Sequence, residues 1–358
     1  MRGESEQADT FIYNLNLEER VPKNHPLRRI RYYANEALKE LSPFFDTLYS
    51  HEGRPSIPPE QLLRALLLQA LYGIRSERLL TESIDLNLLY RWFVGLSIDT
   101  PIWHHSTFTK NRERLLNEKS ATEFLLKIIE KARKKGLTSD KHFSVDGTLI
   151  EAWASIKSFQ PKETDEDNDS DKTGRNTPRD FHDEKLSNET HESKTDPDAR
   201  LFKKSHGAAA RLCYMAHALM ENRNGFILST RVTKATGKAE REAALDMMKG
   251  ISHSGRITLG ADKGYDDSTF INELRNLNVT PHIAKHGSRN NIDNRTSRHE
   301  GYEISIRIRK RIEETFGWLK QAAGFRKTKV RGIGANAGLM NMYCAAYNLV
   351  KLSKLCPA

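Results

Sequence analysis

The sequence predicts an α/β protein in which a mixed sheet is flanked by helices and preceded by an all-α N-terminal region. Three observations carry that prediction. Apolar residues recur at helical spacing through the first 135 or so positions, the period turns to that of strands from Lys141, and the later strands alternate with amphipathic stretches. A chain of 358 residues also exceeds what one core normally fills, about 250 to 300 residues, so the expected units are 1–135 and 136–358.

In the first unit, Pro58-Pro59-Glu60 opens a run whose Leu62, Leu63, Leu66, Leu67 and Ala70 share one helix face. Gly73 breaks the run. A second helix is expected from Arg75 to Leu89, with Leu79, Leu80, Ile84 and Leu88 on one side. His105-Ser106-Thr107-Phe108 then offers a hydroxyl cap to a helix bearing Lys110, Arg112 and Arg114, a basic edge able to meet DNA. The pair 59–89 fits a helix-turn-helix that enters a major groove, and equally a structural or dimerising bundle.

In the second unit, His142 to Asp146 reads as a strand that Asp146 closes. Arg211 to Met220 is apolar on both faces, as a central strand is, and Asn222-Arg223-Asn224-Gly225 turns it into an antiparallel partner over Phe226 to Thr233. A helix (Ala239 to Lys249), a strand (Arg256 to Asp262), a helix (Asp267 to Leu277) and a strand (Thr280 to Ala284) follow, then helices from Ile304 to Gln321 and Asn336 to Leu355. Ser158 to about Asp198 is an insertion almost free of aliphatics, too polar to offset its ordering entropy. It is expected to be a disordered loop whose Glu163, Asp165, Glu166, Asp167 and Asp169 face water.

Composition narrows the function. Cys213, Cys344 and Cys356 are far apart and form no C-x-x-C pair, which argues against disulfides and thiolate zinc. The most apolar stretch, Leu62 to Ile74, is interrupted by Arg64 and Gln69, and the charged N-terminus has no apolar signal core. A cytoplasmic protein without a membrane partner is expected. A net charge of +10 with a pI near 9.3 favours a polyanionic partner.

Strand, long gap, hairpin, helix, strand, helix, strand, helix is the element order of an RNase H-like core. In it Asp146 and Asp262, at two strand ends, can share one crevice. On a helical wheel centred on Glu313, Arg309 and Lys320 fall on the same strip, bordering the apolar stripe of Ile312, Phe316 and Leu319, whereas Glu314 points away. Three carboxylates so placed suit two Mg²⁺ ions, for which Mn²⁺ can substitute. Such a pair activates a water or 3′-hydroxyl and steadies the leaving oxygen, while Arg309 and Lys320 hold phosphate.

The motifs are Asp146-Gly147-Thr148 with Glu151-Ala152-Trp153-Ala154-Ser155, Asn188-Glu189-Thr190-His191-Glu192-Ser193, Thr195-Asp196-Pro197-Asp198-Ala199-Arg200, Glu221 to Gly225, Ala261-Asp262-Lys263-Gly264-Tyr265, and Arg311-Ile312-Glu313-Glu314 with Phe316-Gly317-Trp318-Leu319-Lys320. Over nearly its whole length the chain resembles an insertion-sequence-five type transposase of the insertion-sequence-four superfamily. The resemblance implies that Asp146, Asp262 and Glu313 are a DDE triad, and that the partners are terminal inverted repeats and target DNA, held by a homodimer in a synaptic complex. Of that superfamily's tyrosine, arginine, glutamate and lysine set, Arg309, Glu313 and Lys320 match; Ile306 stands in the tyrosine slot, which removes the basis for stacking a flipped base there.

Simpler accounts stand beside these. Asp146 and Asp262 can be turn residues, Asp266 and Asp267 helix caps, and Glu313 half of an ion pair with Arg309. Trp318, off the apolar stripe, either stacks on DNA or packs under a loop. Arg326, Lys327, Lys329 and Arg331 either track a phosphate backbone or form a solvated run. His282 and His286 lack further metal partners in sequence. Two rival functions remain: a catalytically silent DNA-binding regulator derived from a transposase, and a metal-dependent nuclease that cuts without joining.

Overall fold

The computed structural model describes residues 16–50, 52, 56–113, 115, 117–162, 186–203, 207–285 and 291–356. The chain opens with α1 (Leu17–Arg20), α2 (Pro26–Asp46), α3 (Pro59–Leu71), α4 (Glu77–Leu86), α5 (Leu88–Val94), α6 (Ser106–Asn111) and α7 (Glu118–Lys134). Proline stands at the first position of α2 and α3, where its missing N–H costs nothing. The expected helix from Arg75 to Leu89 is two helices: Ser76 Oγ caps α4 through the Leu79 N–H at 3.1 Å, and the Asn87 side chain caps α5 through Leu89 and Tyr90. That break swings Leu88 out of line, so Leu80 and Ile84 are buried while Leu79 and Leu88 are exposed. The helix α6 begins at Ser106 without a side-chain cap.

The strands are β1 (His142–Glu151), β2 (Phe159–Pro161), β3 (His191–Ser193), β4 (Arg200–Phe202), β5 (Arg211–Glu221) and β6 (Ile227–Lys234). After α8 (Ala239–Lys249) come β7 (Ile257–Ala261), α9 (Ser268–Asn276), β8 (Val279–Ile283), α10 (Asn294–Ser297), α11 (Glu300–Arg309), α12 (Arg311–Gln321) and α13 (Ile333–Leu355). The main sheet runs β8-β7-β1-β5, with β4 and β6 both pairing β5. Parallel pairing joins β8, β7 and β1, and antiparallel pairing joins the rest, so the sheet is mixed. As its apolar pattern predicts, β5 is central: ten of its eleven residues are buried. Gly147 lies against Glu240 of α8, whereas its neighbour Asp146 belongs to the opposite face, where Ser305 and Arg309 of α11 approach Gly260. Helices therefore cover both faces, the arrangement of an RNase H-like core.

The expected length of β1 is corrected: Asp146 sits mid-strand, opposite Ala218 of β5, because pairing with β5 carries the strand on to Glu151. The single helix from Ile304 to Gln321 also breaks, at Lys310, which ends α11 and caps α12. Arg309 and Glu313 thus belong to different helices, and no continuous turn supports the expected ion pair. The margins of the insertion are ordered, with β2 paired to β3, while Glu163, Asp165, Glu166, Asp167 and Asp169 lie outside the described residues.

The family-like motifs of those margins are structural. The Asn188 amide clasps the Leu201 backbone through both its groups, at 2.8 Å each. Asp196 accepts hydrogen bonds from the Tyr214 hydroxyl and the Gly332 N–H, and Asp198 accepts from Ile333, so two acids cap the start of α13. Glu221, fully buried, accepts from the backbone N–H groups of Ser139, Arg223, Asn224 and Phe226 at 2.8 to 3.0 Å, tying the β5–β6 turn to the segment before β1.

Buried nearly all round, α13 packs on β6, α7, α2 and α3, so the N-terminal helices and the sheet share one hydrophobic core. Two of its interior amides are fully engaged: Asn348 bonds both backbone groups of Ile227, and Asn341 accepts from Thr230 and donates to Thr122. Among the described residues no helix is long and apolar enough to cross a membrane.

Candidate active site

The parallel register of β1 and β7 ends at Ser144 opposite Gly260. Two residues further along each chain stand Asp146 and Asp262. Adjacent parallel strands are about 4.8 Å apart, so the two aspartates emerge side by side where β7 stops and β1 continues. This is the crevice at the carboxyl end of a parallel strand where α/β sheets place their chemistry. Asp262 Oδ1 accepts from the Gly264 N–H at 2.8 Å, and Asp146 Oδ1 from the Gly147 N–H at 2.8 Å, which fixes both carboxylates and leaves their second oxygens available. The turn-capping reading holds for Asp262 and not for Asp146, which lies inside β1.

Glu240 joins them. Helix α8 brings its carboxylate so close to β1 that a Cβ on Gly147 would lie 2.7 Å from Glu240 Oε1. Glycine inside a strand marks such a close approach. The same missing Cβ would stand 3.2 Å from Nδ1 of His217, the residue across from Gly147 on β5. Burial pulls His217 down to about 4, so its ring is neutral. Among the described residues Nδ1 has no hydrogen-bond partner, nor does the buried Tyr265 hydroxyl.

Burial pushes the Asp146 carboxyl up to about 7; the Gly147 N–H opposes that shift, Asp262 and Glu240 add to it, and Arg309 opposes it. Glu240 is likewise raised, by burial first and then by Asp262, with Arg241 opposing. Burial and the same three acids hold the Tyr265 phenol far above its usual range. Three crowded acids thus face two arginines. Paired aspartate oxygens in such an excess of negative charge fit a hard divalent cation.

The remaining predicted residues are distributed as follows. Glu313 is exposed on the first turn of α12, and among the described residues no three His, Cys, Asp or Glu side chains lie close enough to hold one ion. Arg309 reaches the crevice, its Nε buried without a partner. Lys320 is half-buried on α12, and the Trp318 ring packs 5.5 Å from that of Tyr347 on α13. Lys327, Lys329 and Arg331 are exposed after α12, Lys110 is exposed on α6, and Arg112 pairs with Glu77; Arg114 lies outside the described residues. His282 is buried against Tyr302, and His286 lies outside the described residues. Asp267 caps α9 through Phe270, and Asp266 instead accepts from Asn291. Sequence reasoning missed Glu240, His217 and Tyr265. The available signal was Gly147, which the sequence reads as part of a turn and the structure places inside β1.

Residues 15–114 match a family described as Transposase domain (DUF772), and residues 138–349 match one described as Transposase DDE domain. Among solved structures, a piggyBac transposase synaptic complex with hairpin DNA is similar over 92% of this chain and 75% of its own, at 9% identity and a TM-score of 0.41. A Mos1 transposase paired-end complex with left transposon end is similar over 77% and 81%, at 12% identity and 0.22. A Mos1 mariner paired-end complex with Mn is similar over 87% and 100%, at 11% identity and 0.22. The match over 138–349 includes both crevice strands and more than half of the sequence, and it decides the family: the chain belongs to the DDE transposases, metal-dependent enzymes that cut DNA and transfer the cut strands.

Proposed function

We propose that this protein is the transposase of a bacterial insertion sequence of the insertion-sequence-five type. It binds terminal inverted repeats through its N-terminal helices, cleaves at the element ends and joins the freed 3′-hydroxyls to target DNA, as a homodimer that holds two ends. The observation that carries this reading is the β1–β7 register, which brings Asp146 beside Asp262 at an open strand end.

Asp146 and Asp262 are the residues that would hold two Mg²⁺ ions, or Mn²⁺ in their stead, with Glu313 as the third acid. Bound there, the cations supply activation of the attacking oxygen and stabilisation of the leaving one. Arg309, half-buried near the aspartates, offsets their charge and holds a phosphate oxygen. Glu313 joins the aspartates when α12 turns about Lys310, the residue between α11 and α12. The buried Tyr347 ring holds the half-buried Trp318 in the α12–α13 contact, so the part of Trp318 is to seat α12 rather than to stack on a base.

A donor duplex with a free 3′-hydroxyl end, a target duplex and Mg²⁺ test the reading. The transposase yields joined product, a nuclease yields only cut strands, and a silent regulator binds without cutting. Glu313→Gln is expected to bind DNA and to lose both cutting and joining. Retained cleavage in that variant would move the third acid elsewhere, Glu240 first.

A further inference from the structure

A second feature lies about five residues along β1 from Asp146. A cleft of about 810 Å³ opens between the α3–α4 turn and the segment after α12, lined among others by Arg75, Arg112, Arg326, Lys327 and Lys329. Its two walls come from opposite ends of the sequence, yet their spacing is fixed by backbone contact. Gly73 has φ +60°, and a Cβ there would lie 2.5 Å from the Ala322 carbonyl oxygen. The far wall is sewn to the sheet: Glu151 N–H donates to the Arg326 carbonyl at 3.0 Å, and Thr328 N–H donates to that of Glu151 at 2.9 Å.

Charge in the cleft is not balanced from within. Glu77 is engaged by Arg112, and Glu151 by Arg211 and Arg326. Among the described residues Arg75, Lys327 and Lys329 have no carboxylate partner. Burial first and the facing charge of Arg75 next hold the Lys329 ammonium below its usual range, against the opposing charge of Glu77, whose carboxylate is already engaged by Arg112. A rigid, open, basic cleft of this kind suits a phosphodiester backbone, which is polyanionic and needs no base contact to be held.

We propose that this cleft grips the backbone of the DNA strand being cut, through Arg75 on one wall and Lys327 and Lys329 on the other, about five nucleotides from the bond that reacts. The spacing follows from the strand. Asp146 to Glu151 spans five residues at about 3.3 Å each, ~17 Å, and a DNA strand advances about 3.4 Å per nucleotide. The inference rests on the transposase reading and deepens it, since one strand then touches both the N-terminal helices and the catalytic sheet.

The test is binding of an end-bearing duplex by fluorescence anisotropy, in EDTA so that no strand is cut, across a salt series. Arg75→Gln and Lys329→Gln, both at exposed positions, are each expected to flatten the slope of log affinity against log salt by about one. A neutral methylphosphonate walked along the cleaved strand needs no variant: it is expected to weaken wild-type binding four to six nucleotides from the cut and to add no further loss in Arg75→Gln or Lys329→Gln. DNA binding with unchanged slopes, or sensitivity only in the target duplex, overturns the assignment of this cleft while leaving the transposase reading intact. Absence of binding to any duplex overturns both.

Discussion

If Asp146 is a metal-facing acid held at a cost to the fold, neutralising it stabilises the metal-free protein. Asp146→Asn is nearly isosteric and keeps an oxygen to accept the Gly147 N–H. The carboxyl has an ordinary value of 3.8 and is pushed up to about 7 in the fold, by burial first and by Asp262 and Glu240 next. At about 1.4 kcal/mol for each tenfold change that difference corresponds to ~4 kcal/mol, and to ~2 kcal/mol once solvent screening at the crevice mouth is allowed for. A carboxyl whose folded value is raised contributes stability that is fully present below about 3.8 and lost as pH rises through about 7.

The aspartate is therefore most unfavourable above pH 7. Asp146→Asn is expected to gain ~2 kcal/mol at pH 8 and under ~1 kcal/mol at pH 5. Urea unfolding in EDTA, followed by intrinsic fluorescence at both pH values, reads the gain as a shift in midpoint. Mg²⁺ then raises the midpoint of the wild type and leaves that of the variant nearly unmoved, because a ligand stabilises only the state that binds it. An Asn variant no more stable than wild type at pH 8, or one that gains more at pH 5, would refute the picture of an acid held against its solvation and its neighbours.

Glu240→Gln is expected to raise the urea midpoint in EDTA as well, since it removes one of the charges acting on Asp146, and to weaken Mn²⁺ binding measured by calorimetry; a lowered midpoint would make Glu240 a structural residue. Gly147→Ala places a methyl 2.7 Å from Glu240 Oε1 and 3.2 Å from His217 Nδ1, for a net loss of ~1 kcal/mol after the gain from a stiffer unfolded chain. Glu240→Ala in the same chain is expected to restore that loss, and strict additivity of the two would show that they do not touch. Glu221→Ala strands four N–H donors, those of Ser139 and Phe226 buried, and a loss of at least ~2 kcal/mol in chemical unfolding is expected; a loss below ~1 kcal/mol would mean that water replaces the carboxylate.

What the sequence revealed and concealed follows from the range of each interaction. Periodicity is local, so the β5–β6 hairpin, the α8 boundaries and the central position of β5 were all legible in runs of ten residues. The adjacency of Asp146 and Asp262 was legible because the element order lets their two strands open on one crevice. That Asp146 lies in the middle of β1 was not, since the strand is prolonged by its partnership with β5, some seventy residues away.

The helical wheel is met within α12, where Ile312, Phe316 and Leu319 are buried and Glu314 is exposed. The turn at Lys310 puts Arg309 in α11 and Glu313 in α12, so the single helix drawn through both is two. Arg309 nevertheless reached the crevice, because α11 packs on β1, β7 and β8 and needs no help from α12 to do so. Glu313 depends on how α12 is set, and α12 packs both on β1 and on α13, whose first turn is held by Asp196 and Asp198 from the far side of the insertion. The setting of Glu313, proposed as the third acid, thus involves contacts between segments more than a hundred residues apart. Loosening the Asp196 cap would be expected to alter Glu313 while leaving Asp146 and Asp262 in place.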